Sequence, residues 1–74
     1  MSTASEITEQ IFAHIEGGVL DRKDLNKVLE GYLKHTGKAS TQQDIDNAIK
    51  EVGISSEGTV SKTDFTQLIQ RFLA

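Results

Sequence analysis

The stretch VGISSEGTVSKTDF, Val52 to Phe65, decides how this chain is read. Gly58 stands near its centre, the β-branched pair Thr59 and Val60 follows, and Asp64 lies six places beyond the glycine. A glycine in a polar run permits a sharp backbone turn, and a β-branched pair after it favours a short extended segment. Oxygen-bearing side chains recur around the turn at Ser55, Glu57, Ser61 and Asp64. Gly53, at the head of the run, has no side-chain oxygen to offer. Whether such a stretch holds an ion is the question it raises.

The same pattern occurs once more, upstream. GVLDRKDL, Gly18 to Leu25, aligns with GTVSKTDF, Gly58 to Phe65, so that glycine, aliphatic residue, acid and core residue match in register. Such a repeat predicts a duplicated helix–loop–helix. Apolar residues at helical spacing predict helices near 4–15, 22–36, 42–52 and 62–73. Thr3 and Glu6 form a capping-box pair at the first, with Gly17 and Gly18 as its stop. Asp21, with Asp24 in the first turn, is the expected cap of the second, and Gly37 its stop. Gly31 interrupts that helix at a cost of about 1 kcal/mol in propensity. Thr41 and Ser61 are the expected caps of the third and fourth helices, and HTGKAS, His35 to Ser40, links the halves.

Composition limits what this repeat can do. At 74 residues, the chain buries only roughly 60% of its unfolded surface. It has no cysteine, no apolar run long enough to span a bilayer and no signal-peptide core, so a soluble, cytoplasmic protein with no membrane span is expected. Eleven acidic against eight basic side chains give a net charge of −3, which argues against nucleic acid and mildly favours a basic partner. His14 and His35 stand apart from any carboxylate cluster or nucleophile, and Gly17–Gly18 lacks phosphate-loop spacing. The Asp-Ser-Leu type of site at which an acyl-carrier protein is modified does not occur. The lysines and arginines alternate with acids and read as solvated faces. No enzyme activity, cofactor or small-molecule substrate is expected.

The two glycine-centred loops carry a family resemblance. The second half is similar to an EF-hand over its full length, and the chain as a whole resembles a pair of them. The resemblance implies an all-α fold: four helices forming one lobe of two paired EF-hands, the first about 4–36 and the second about 42–73. A short two-stranded β contact would join the loops, with Leu20 opposite Val60. Calcium in such a loop needs six to eight oxygens and a bidentate glutamate at the twelfth place. The corresponding positions here are Gly53, Ser55, Glu57, Ser61 and Asp64, with only Glu57 and Asp64 as carboxylates. The first loop, Glu16 to Asp24, has nine residues rather than twelve. Both loops are thus expected to be vestigial, with no metal bound.

Phe12, Leu20, Leu25, Val28, Ile45, Ile49, Val60 and Phe65 are the expected centre of the lobe. A second apolar set lies opposite the loops: Ile15, Leu29, Tyr32, Ala48, Val52, Leu68, Ile69 and Phe72. In a closed lobe this set is core; in an open one it is a groove for an amphipathic helix. The only methionine is Met1, so the groove would be lined by stiffer Ile, Leu and Val and would suit few partners. A single lobe with disabled loops resembles the small light chains of class I myosins within the calmodulin and myosin-light-chain group. That resemblance implies a calcium-independent adaptor bound to the basic IQ motif of a myosin heavy chain. A self-associating EF-hand interaction domain and a weak calcium-binding regulatory protein are the alternatives.

Overall fold

The computed structural model describes residues 3–38 and 40–73. Its α-helices are α1 (Ala4–Ala13), α2 (Leu25–His35), α3 (Gln42–Val52) and α4 (Lys62–Leu73). Strands β1 (Leu20–Asp21) and β2 (Thr59–Val60) pair antiparallel, Leu20 opposite Val60 and Asp21 opposite Thr59. The described chain is thus mostly helical with one small sheet, and the Leu20–Val60 register is the expected one.

Local chemistry sets most helix ends. At α1 the Glu6 N–H donates to Thr3 Oγ1 at 3.2 Å, and the Thr3 N–H donates to Glu6 Oε1 at 3.0 Å. The Thr3 backbone N–H first, and its hydroxyl second, hold the Glu6 carboxyl below its ordinary value of 4.5. This contribution is complete above that ordinary value and is lost as pH falls through the lowered one. Thr41 and Asp44 form the equivalent reciprocal pair at α3, at 3.1 and 3.2 Å. Ser61 Oγ accepts from the Asp64 N–H at 3.1 Å and caps α4. Gly37 ends α2 with φ 74°, and the Lys38 N–H reaches back to the Leu33 carbonyl at 2.9 Å, a Schellman closure.

The first half departs from expectation at two places. Helix α1 ends at Ala13, not at residue 15 or the glycines, because Ile15 turns extended and packs against the core. Gly17 and Gly18, at φ 77° and 66°, shape the turn that carries the chain onward to β1. Asp21 does not cap α2: its backbone is committed to the strand, and residues Arg22–Asp24 form a 3-10 turn before the helix begins. Asp24 takes the cap position without a side-chain capping bond.

The core lies between the helices and the sheet. Phe65 is fully buried and meets Phe12 edge to face, with ring centroids 5.7 Å apart and planes at 77°. Leu20, Leu25, Ile45, Ile49 and Val60 are buried as expected, whereas Val28 is only half-buried. Leu33, on the apolar stripe of α2, also joins the core, and Ala4 does so unforeseen. Between α1 and α4 lies one buried polar contact. Thr8 donates to the Ala4 carbonyl at 2.9 Å, and the Thr66 hydroxyl stands 2.9 Å from Thr8 Oγ1. These bonds offset the cost of taking the Thr8 hydroxyl out of water and link the two helices.

Two substitutions should move stability in opposite directions. Phe65→Ala should cost about 3–5 kcal/mol of unfolding free energy. Gly31→Ala should add about 1 kcal/mol, since Gly31 lies inside α2, its φ is not positive, and an added Cβ would meet nothing within 4 Å. Denaturant titration of both variants checks the pair.

Candidate functional site: the joined loops and the apolar face

Gly53 is better placed to end a helix than to begin an ion site. With φ 83° it closes α3, and the Ile54 N–H returns to the Ile49 carbonyl at 3.3 Å. Ser55 turns its hydroxyl to the Glu57 N–H at 3.2 Å, while Ser61 caps α4. Asp64 sits half-buried in the first turn of α4, where negative charge is favoured, and Glu57 is exposed. Among the described residues, no three of His, Cys, Asp and Glu gather in a group with metal-binding geometry. Gly53, Ser55 and Ser61 thus serve as helix stop, turn and cap.

A protein cation joins the two loops instead. The Arg22 N–H donates to the Gly58 carbonyl at 2.9 Å, extending the strand contact by one bond. Its side chain crosses to the second loop, where Nε donates to the Ser55 carbonyl at 3.1 Å. Nη1 stands 3.3 Å from Asn26 Oδ1, and Asn26 Nδ2 donates to Asp46 Oδ1 at 3.1 Å. Asp46 also accepts from Gln42 at 3.0 Å, so the chain of bonds runs from loop to loop and on to α3. The guanidinium is planar, permanently charged and able to donate in several directions, which suits it to this bracing.

Arg22 was expected to be a solvated charge and is instead a half-buried hub. Its main partners are carbonyls, which every residue carries, so no residue type marks the contact in advance. His14 and His35 are exposed, with His14 Nδ1 at 2.8 Å from the Gln10 carbonyl.

The apolar set divides in two. Leu29, Ala48, Leu68 and Ile69 are buried in the core, and Ile15, Tyr32, Val52 and Phe72 are half-buried against it. The structure thus brings all eight onto one cluster, with the face closed. The large hydrophobic residues that do stand exposed among the described residues, Val19 and Leu73, lie outside the set.

If Arg22 braces the loops, Arg22→Ala should lower stability by about 1–2 kcal/mol, and Arg22→Lys should restore only part of it because the planar fork is lost. Backbone amide shifts of Gly58 and Val60 should stay unchanged during calcium titration to about millimolar. A saturable shift below roughly 10 μM, the range of calcium sensors, would contradict that assignment.

No family model, no curated protein and no solved structure matches this chain.

Proposed function

We propose that the chain is a calcium-independent adaptor, one lobe of two paired EF-hands that receives a basic amphipathic helix on its apolar face. The partner we assign is an IQ-type helix of a class I myosin heavy chain, met in the cytoplasm. The observation that carries this reading is the Arg22 brace. Loops fastened by the protein's own guanidinium and capping hydroxyls give an ion no lever on the helices. Any helix must therefore be met without an ion's help. The repeat, the Leu20–Val60 register and the net charge of −3 support the same reading.

Binding on this face requires opening. Tyr32, Val52, Ile15 and Phe72 lie at the rim and supply the first contacts, while Leu29, Leu68 and Ile69 become available only as helices separate. A target must bind the open form more tightly than the closed one, by at least the free energy of opening. Acidic balance speeds encounter with a Lys/Arg-bearing helix, so binding weakens as salt rises.

The test uses IQ-type helices with the wild type, Tyr32→Ala and Val52→Ala, each in calcium and in chelator. These rim residues are preferable to Leu68, whose complete burial makes its truncation a stability mutation first. Wild-type affinity should be equal in both media, and each rim variant should lose about tenfold. Binding seen only with calcium would defeat the mechanism, and rim variants of undiminished affinity would defeat the site.

A further inference from the structure

We propose that the cleft between α2 and the start of α3 is a second docking site, for an acidic peptide segment bearing an apolar side chain. The cleft encloses about 550 Å³ over Leu33 and Ile45, with Gly31 in its wall and Lys27, Lys34 and Lys38 around its mouth. It therefore joins an apolar floor to a cationic rim. Leu33 and Ile45 also belong to the core, but the fold calls for neither the open space beside Gly31 nor the cation at Lys27.

The glycine is the first sign. Gly31 lies in a helix interior, takes no left-handed conformation and touches nothing that a Cβ would disturb. Helix propensity disfavours it there by about 1 kcal/mol relative to alanine. What its missing side chain leaves behind is open space in the cleft wall.

The charges are the second. Three of the chain's eight basic residues converge on this cleft, although the chain as a whole carries −3. Glu30 is the one acid lining it, which leaves a local charge of +2. The ion pairs among the described residues are Lys62–Glu9 and Arg71–Glu51, so Lys27 and Lys34 have no carboxylate partner there. Lys34, in the last turn of α2, is explained by the helix dipole. Lys27 is not, because it stands in the first turn, where a cation is disfavoured. Lys38 Nζ donates to the Phe72 carbonyl at 2.6 Å, so its charge is partly engaged at the end of α4 and the site rests chiefly on Lys27 and Lys34.

A segment with Asp or Glu flanking a Leu or Phe matches both parts of this surface. An anionic bilayer matches it less well, because a negatively charged protein is repelled from such a surface and a cleft presents no flat face to it. A basic helix is repelled by the same lysines, so this site and the apolar face select partners of opposite charge. The site stands or falls independently of the function proposed above.

The probe is a synthetic amphipathic peptide with Leu and Phe on one face and Glu elsewhere, titrated into the labelled protein. Saturable amide shifts should centre on Gly31, Leu33, Lys34 and Ile45. Lys27→Glu and Lys34→Glu should each weaken binding by about tenfold. Gly31→Leu should abolish binding by filling the cleft while raising, not lowering, the melting temperature. Undiminished binding by Gly31→Leu, or shifts that ignore the lysine changes, would overturn the proposal. So would association with phosphatidylserine vesicles in place of the peptide.

Discussion

The pairing of Leu20 with Val60 is the contact on which the rest of the molecule depends. Only two residues of each strand take part, yet both side chains are buried, so the sheet also acts as a wall of the core. It joins segments forty positions apart and thereby fixes how the two halves face one another. So short a ladder contributes little alone, since an isolated pair of strands is marginal in water. Arg22 adds a backbone bond to Gly58 and a side-chain bond to Ser55, fastening the loops at a second point. Phe12 and Phe65 then meet beneath them, and α1 and α4 close together.

What was legible beforehand was chiefly what local chemistry decides. The reciprocal caps at Thr3 and Thr41, the Ser61 cap and the Gly37 stop each rest on groups a few residues apart. The Leu20–Val60 register was legible because the repeat aligns the two positions after their glycines. What failed depends on distant partners. The Asp21 cap gave way because Asp21 is held by Thr59 across the sheet. The end of α1 moved because Ile15 is drawn to the core, and the role of Arg22 rests on a carbonyl in the other half. Spacing along a helix does not reveal such competitors.

The apolar set illustrates a different limit. Helical periodicity identifies which residues avoid water, and all eight do so at least in part. It does not distinguish a face covered by the chain itself from one covered by a partner. In a chain of this size the two alternatives draw on the same side chains, because there are too few for a core and a separate apolar groove. Leu29, Leu68 and Ile69, fully buried in the closed form, are therefore also the residues that an incoming helix would have to replace as contacts.

That sharing constrains how a helix could bind. Each residue uncovered on opening loses its packing against neighbours, and fully burying one aliphatic side chain is worth about 1.5–3 kcal/mol. An ion-driven sensor can offset such a loss with coordination energy at its loops. Here the loop positions are taken by Gly53 as a helix stop, Ser61 as a cap and Arg22 as a brace. Under the proposed function the offset would come from the partner's own apolar side chains, which would re-cover what opening exposes. A partial opening that keeps Leu20, Val60 and Phe65 in place requires the least compensation, because the loop pair and the aromatic contact beneath it stay intact. Movement would accordingly fall on the sides of the helices remote from the sheet, while the joined loops serve as the fixed end of the hinge.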